Sequence, residues 1–588
     1  MHDTVLQLFR ATVDAHGLRP AMRGRRGGRA LSLTWSEYHD EVRWAARGLI
    51  AQGVSAGAGV TIMGFNRAEW FVADLASMAA GGLPAGIYTT STPEQCRYIA
   101  EHAEAAVAIV ENREYLERFL EIRARLPRLR AIVVMEEEAA RPGVLTWSEL
   151  LQSGDGVDEG ELDRRIAAAR PDDPCTLIYT SGTTGAPKAV TLTHRNVSFV
   201  AACATDLLDV RAEDRLLSYL PLSHIAEQVV SLYMSLATGA CVHFARSLER
   251  LADDLVEVRP HVFLGVPRVW EKIQAGIQLA AAQNGPLKKR VGAWARRVGL
   301  AAGYAEQRGG PRPWGHALAH RLVFSKVREK LGLDAARLCI VSAAPTALET
   351  LEFFLGLGVP IMEIYGMSEC TGPATISLPN AYRTGRAGRP LPGTEMKTAE
   401  DGEVLMRGPH VFKGYYKNEE ATREVKDAEG WLHSGDIGEI DADGYLRITD
   451  RKKELIITAG GKNIAPQLLE GKLKQIPAVS QAVAIGDRRP YVVALLTLDP
   501  TRVAEEAEKA GSPARSAAAA ARCPLFTARV DAQVRQMNEG LARYEQVKRF
   551  ALLPSELTIE EGELTPTLKL KRRVIHERHR EVIDALYL

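Results

Sequence analysis

Cysteine is scarce: seven in 588 residues, with no Cys-x-x-Cys pair. That argues against a zinc ribbon or a disulfide framework. Cys175, Cys241 and Cys339 lie in apolar runs and are expected as buried free thiols in a reducing cytoplasm. An excess of one charge is also lacking. Seventy-four Lys and Arg stand against 73 Asp and Glu, a net charge of +1, so no overall field points to nucleic acid. No stretch of about 18 uninterrupted apolar residues exists, and no membrane-spanning helix is expected. The richest candidate, Phe71 to Tyr88, carries Asp74 and many Ala and Gly. Met1 to Gly17 alternates apolar and charged residues like an amphipathic helix and lacks the apolar centre of a signal peptide. What remains is 46% hydrophobic and 25% charged, the make-up of a globular chain with room for more than one domain.

One stretch concentrates chemistry. Ser181-Gly182-Thr183-Thr184-Gly185-Ala186-Pro187-Lys188 sits between the apolar runs Cys175 to Ile178 and Ala189 to Leu192, which reads as strand, loop, strand. Glycines let backbone approach an anion because no Cβ intervenes. Hydroxyls donate to phosphate oxygens and a lysine adds positive charge, so the loop suits a polyphosphate. It is not a Walker A loop. The spacing is Gly182-x-x-Gly185-x-x-Lys188, and an extended segment follows it where that motif opens a helix.

From the start to about residue 170, helical spacing alternates with short apolar strands. Helices are expected at Trp35 to Gln52 and Glu69 to Gly81. Strands are expected at Val60 to Gly64, Pro84 to Tyr88, Ala106 to Val110 and Ala131 to Met135. The unit repeats at Arg250 to Val258, His261 to Gly265 and Pro267 to Gln278. Such alternation predicts parallel sheets covered by helices. Residues 279–330 break the rhythm with Lys288-Lys289-Arg290, Arg296-Arg297, Trp294 and Trp314. They read as a helical basic insertion: either a solvated face, or a patch for an anionic membrane surface or an acidic ligand. Beyond about 385 hairpins are expected, with turns at Asp401-Gly402 and Asp443-Gly444. The charged run from Asp450 marks a boundary between a domain of residues 1–449 and a small α/β C-terminal domain of residues 450–588. In the latter, the Ala-rich Ala504 to Ala521 reads as a surface insertion.

The loop and several later segments together resemble the adenylate-forming (AMP-binding) superfamily of acyl-CoA synthetases, luciferases and peptide-synthetase adenylation domains. The resemblance covers essentially the whole chain. Tyr365-Gly366-Met367-Ser368-Glu369, about 180 residues after the loop, resembles the segment that stacks adenine on the aromatic ring and offers its glutamate to Mg²⁺. Ring and carboxylate both suit those tasks. By the same resemblance the ATP-binding set is Ser181, Gly182, Thr183, Thr184, Gly185, Lys188, Ala344, Glu363, Tyr365, Gly366, Ser368, Asp436, Arg451, Lys453 and Lys569, with Thr184 and Glu369 as metal ligands. Ala344 lies in the small-residue turn Val341 to Pro345, where a helix start at Pro345 is also expected. Asp436 in Trp431 to Asp436 would accept the ribose hydroxyls, a natural task for a carboxylate. Asp450 would be the hinge. Gly460 and Gly461 would meet the pantetheine arm of coenzyme A. Lys569 matches the C-terminal catalytic lysine, although Leu568 precedes it where the family usually has glycine. Lys569, Thr184 and Glu369 are the expected catalytic residues. His224 in Leu220 to Glu227 resembles an acyl-pocket residue and is equally readable as structural. Trp270 in Gly265 to Trp270 falls where some long-chain enzymes carry a tunnel gate, or it packs in the core.

Gly86 to Ser91, the 279–330 excursion and the long C-terminal domain resemble long-chain fatty-acid–CoA ligases of the bubblegum type. The resemblance implies ATP, Mg²⁺, coenzyme A and a long-chain fatty acid as cofactor and substrates. It implies two half-reactions in one site beneath a small mobile lid, and a cytoplasmic protein. It leaves open peripheral contact at the inner membrane surface and a homodimer. The rival readings are an acyl-AMP ligase that loads a carrier protein, a peptide-synthetase adenylation domain, and a non-catalytic lipid-binding homologue.

Overall fold

Four helices start in the same way. The hydroxyls of Thr34, Thr92, Thr146 and Thr193 each accept the N–H of the third residue on, whose side chain (Glu37, Gln95, Glu149, Asn196) returns a bond to the threonine N–H. These capped helices separate short apolar strands. A run such as Gly59–Met63, buried at every position, has no polar face to show solvent, so it needs helices on both sides. The structure, a computed structural model, describes residues 2–180, 187–459, 462–565 and 569–588.

Two large sheets result. The eight-stranded sheet runs, in spatial order, Gly414–Tyr415, Lys188–Thr193, Pro174–Thr180, Leu83–Ile87, Gly59–Met63, Ala105–Val110, Ala131–Val134 and Leu145–Thr146. It is parallel from Pro174–Thr180 onward. The nine-stranded sheet has a parallel centre of Ile361–Met367, Leu338–Val341, Val262–Gly265, Arg215–Ser218, Cys241–Phe244 and Pro20–Arg26, with antiparallel edges. Helix Ala68–Ala79 joins them, and all 12 of its residues are buried. It packs on strands of the first sheet, and Phe71 stands edge-on to Phe244 of the second at 5.1 Å. Asp74 on this helix has no partner among the described residues, and burial pushes its pKa up to about 8.

The hairpins expected after 385 form a four-stranded antiparallel sheet, in which Gly402 and Gly444 both take φ +83°. Its last strand, Leu446–Arg451, leads to a short pair, Ile456–Ile457 with Asn463–Ile464, and a three-stranded sheet, Val479–Ile485, Val492–Leu498 and Val547–Leu552. The expected α/β class, with parallel sheets and a C-terminal domain, is the one observed.

The Ala-rich segment Ala504 to Ala521 lies mostly at the surface, as expected, and Ala507, Ala514 and Ala520 anchor it in the core of the C-terminal domain. Two local expectations are corrected. No helix starts at Pro345; the next begins at Leu348, after Ala343 turns the backbone to φ +75°. Cys241 is only half-buried, as the first residue of its strand, while Cys175 and Cys339 are buried free thiols. The 279–330 stretch is helical as expected, with Pro286–Gln307 its longest element and a small core of Ala295, Ala319 and Phe324. Leu287 and Trp314 protrude there, 75% and 95% exposed. Among the described residues no helix is long and apolar enough to cross a membrane.

Candidate active site

A cavity of about 2460 Å³ opens between the two halves of the chain, lined from both. The strands that flank the hydroxyl-rich loop reach its rim. Thr180 pairs with Lys188 across the antiparallel register, and both line the cavity. Lys188 Nζ stands 4.9 Å over the Tyr415 ring and 4.0 Å from Glu424. Ser181, Gly182, Thr183, Thr184 and Gly185 lie outside the described residues, as do Gly460 and Gly461.

Strand Ile361–Met367 carries Ile364, Gly366 and Met367 to the cavity and ends in the tight turn Ser368–Cys370, while Tyr365 does not line the wall. Gly366 is required there. A Cβ would lie 1.7 Å from the Gly372 carbonyl oxygen of the paired strand. The turn presents Ser368 and Glu369 to the cavity. Glu369 accepts a hydrogen bond from the Tyr415 hydroxyl at 2.8 Å, and burial raises its pKa despite that bond. Asp436, buried on the hairpin strand Leu432–Ile440, accepts from the Tyr365 hydroxyl at 2.8 Å and meets Arg451 Nε at 3.2 Å. Burial raises its pKa too, against the pull of Arg451.

Lys569 comes from the C-terminal domain. Thr565 N–H donates to the Lys569 carbonyl at 2.8 Å, and Lys569 N–H donates to the Thr565 hydroxyl at 3.0 Å. Its side chain enters the same cavity, and burial, with Arg451 second, lowers its pKa to about 8. His224 faces it. Burial, with Lys569 second, holds that imidazole down to about 3, so it is neutral near pH 7. Its Nδ1 accepts the Ala226 N–H at 3.2 Å, which leaves the proton on Nε2. Arg451 and Lys453 also line the cavity. Asp450 is buried beside them: one oxygen accepts the Arg451 N–H at 2.6 Å, and the other has no partner among the described residues. Desolvation raises its pKa to about 7.

The same cavity also has apolar lining. Ala204 and Leu208 from helix His194–Leu208, Val229, Val230 and Met234 around the π-helical turn Gln228–Tyr233, and Pro373 and Ile376 contribute it. Beneath it Glu227 is buried and accepts from the Ser218 and Ser231 hydroxyls at 2.7 and 2.6 Å. Burial raises its pKa to about 7.

Four expected residues stand off the wall, among them Tyr365, which reaches the cavity only through its hydroxyl bond to Asp436. Ala344 is exposed, and Ser342 and Ala343 hold the wall in its place. The Glu363 carboxylate accepts the Gly385 N–H at 2.7 Å, away from the wall, and burial lifts it to about 8. Trp270 is wholly buried, donates from Nε1 to the Ile340 carbonyl at 3.1 Å, and packs edge-on against Phe263 and Phe354. Tyr415 was missed. The tandem aromatics in Gly414-Tyr415-Tyr416 were its only signal.

Residues 9–416 match the family model described as AMP-binding enzyme, and residues 453–588 match the AMP-binding enzyme C-terminal domain. The long-chain-fatty-acid–CoA ligase ACSBG2 of Xenopus laevis is 40% identical over 617 residues, covering 99% of this chain and 84% of its own. The long-chain-fatty-acid–CoA ligase ACSBG1 of Bos taurus is 38% identical, at 99% and 85% coverage. Among solved structures, the anthranilate CoA ligase AuaEII with anthranoyl-AMP superposes with a TM-score of 0.75 at 21% identity, covering 99% and 98% of the two chains. The A domain of carboxylic acid reductase from Segniliparus rugosus, with AMP and a co-purified carboxylic acid, gives 0.77 at 22%, covering 99% and 94%.

Proposed function

The chain belongs to the AMP-binding enzyme family, and from that membership we propose that it converts a long-chain fatty acid to its coenzyme A thioester in two steps. A fatty-acid carboxylate oxygen attacks the α-phosphorus of ATP, a P–O bond forms, and pyrophosphate leaves. The thiolate of coenzyme A then attacks the acyl carbon, the C–O bond to phosphate breaks, and AMP leaves. What carries the reading is one juxtaposition: Lys569 of the C-terminal domain stands in the cavity that Glu369, Asp436 and His224 line from the other half, together with apolar residues such as Leu208, Val229 and Met234. Curated relatives named long-chain-fatty-acid–CoA ligases over nearly the whole chain support the choice of substrate.

The residues divide the first step between them. Asp436, already accepting from a hydroxyl, takes the ribose diol in place of Tyr365, whose ring is then free to face the base. Lys569 neutralises charge gathering on the α-phosphorus. The task is positioning and charge balance more than covalent help. Glu369 is one buried carboxylate beside a phosphate chamber, which suits Mg²⁺. When bound, that ion offsets phosphate charge, with Thr184 the expected second ligand. Neutral His224 can donate from Nε2 to the acyl carboxylate without adding a charge. The C-terminal domain then turns about Asp450, Lys569 withdraws, and the Gly460-Gly461 segment takes its place against the pantetheine arm. One chamber serves two reactions because the lid has two faces.

Fatty acids of graded length, each with ATP and pyrophosphate, test this reading. Exchange of label into ATP is expected with long chains, and AMP with acyl-CoA on adding coenzyme A. No exchange with any fatty acid would reject it. Exchange without coenzyme A-dependent product would favour carrier-protein loading.

A further inference from the structure

Helix Pro267–Ala282 turns Trp270 into the core. Three other residues point away from the core and across the junction. Arg268 Nη1 donates to the Ser480 carbonyl at 3.0 Å, while Nη2 donates to the Ser480 hydroxyl at 2.9 Å and the Glu556 carboxylate at 3.1 Å. Glu271 pairs with Lys474, and Gln278 accepts from Arg502. The spacing of 268, 271 and 278 puts all three on one face of the helix. Every partner belongs to the C-terminal domain. Glu271 also lies 3.7 Å from Arg268, so Lys474, Glu271, Arg268, Glu556 and Ser480 form one continuous polar chain. None of the five lines the cavity.

We propose that this helix face is the dock that holds the C-terminal domain in the adenylate-forming position, with Arg268 a positioning residue that acts on Lys569 through Ser480 and Glu556. The connection within the domain is short. Leu557 N–H donates to the Gln481 side chain at 2.8 Å and its carbonyl accepts from it at 3.1 Å, which ties the Glu556 segment to strand Val479–Ile485. Leu557, Leu564 and Leu570 then share one small core, and Lys569 is next to Leu570. A shift of Ser480 and Glu556 is therefore passed to Lys569. Since the second half-reaction needs Lys569 withdrawn, the same contacts must break between the steps. Arg268, Glu271, Lys474 and Glu556 are polar and keep 17–36% of their side-chain surface exposed, so each contact can exchange with water.

The proposal rests on the two-step reading, so its test separates the steps. Glu271→Lys and Lys474→Glu are each expected to lower ATP–pyrophosphate exchange by about tenfold, while coenzyme A-dependent use of supplied acyl-adenylate stays within about twofold. The double swap should recover part of the exchange, as coupled pairs do, although Arg268 loses its Glu271 partner. Arg268→Ala should follow the same pattern, and Arg268→Lys, which keeps the charge but loses the fork, should recover only part. Equal loss of both steps, or no recovery in the double swap, would make the contacts merely structural and overturn the dock. Unchanged exchange in every variant would overturn it as well. A fluorophore pair, one dye on each domain, gives a readout free of substrate. Each single reversal should lengthen the separation and the swap recover part of it, and a separation indifferent to the variants would count against the dock. Failure of the fatty-acid reading shows separately, as absent exchange in the unmodified protein.

Discussion

Lys569 is a lysine held near pKa 8 in the chamber proposed to take the phosphates of ATP. Below that value it is charged and can oppose the α-phosphate. Above it the free enzyme loses that charge. The kcat/KM of the first step is therefore expected to fall with rising pH through about 8, as the titration of an essential free-enzyme group does. Lys569→Arg should remove that alkaline limb even if slower, because guanidinium stays protonated. Lys569→Ala should cost about 10²–10³ in exchange, the usual loss for one transition-state donor, and spare thioester formation from supplied acyl-adenylate. An unaltered pH profile in Lys569→Arg would remove the lysine from this role. That Glu369, Asp436 and Lys569 share one cavity was legible in the sequence because each carries its chemistry on its own, as a carboxylate or a lysine inside a recognisable string. Arg268, Tyr415 and Ala343 were not. Their significance lies in partners up to 288 positions away, as with Arg268 and Glu556, or in a backbone angle that no string records. Glu363 shows the reverse error, a suitable carboxylate whose place in the string led to the nucleotide while its neighbour in space is Gly385.

The hairpin of Ile361–Met367 and Gly372–Ile376 supplies Gly366, Met367, Gly372 and Ile376 to the wall of the chamber in which the nucleotide is proposed to sit. Its tolerance is small at Gly366, where the facing carbonyl leaves no room for a methyl group. Gly366→Ala is expected to spread the pair, cost about 1–3 kcal/mol as overpacking does, and reduce exchange through Tyr365 and Glu369. Urea unfolding alongside the exchange assay checks this. An unchanged midpoint with full activity would show that the turn has slack. Elements were the most readable part of the chain. Strand and helix positions agree with apolar spacing to within a few residues, since buried parallel strands have no polar face to confuse the pattern. Pairing was not readable, because period says nothing of partners. The order that sets Leu83–Ile87 between Pro174–Thr180 and Gly59–Met63 is a product of packing. Composition told only part at Ala504 to Ala521, where most residues face solvent while Ala507, Ala514 and Ala520 anchor the segment in the core.

Ligand sites drawn from both halves make the whole molecule respond as one. A non-reactive acyl-adenylate analogue, touching Asp436 on one side and Lys569 on the other, is expected to stabilise the folded chain by about 2.7 kcal/mol at a hundredfold excess over Kd. It should also raise the melting of both halves together. Calorimetry in which only the transition of the larger half moves would mean that the C-terminal domain is not held by the ligand. Helix Ala68–Ala79 has a further effect on the large half. Wedged into both sheets with no side chain free, it leaves that body without a slip plane. On the proposed mechanism, cargo choice and turnover timing are thereby separable. Bulkier wall residues on helix His194–Leu208 are expected to shorten the accepted chain without retuning the proposed hinge at Asp450.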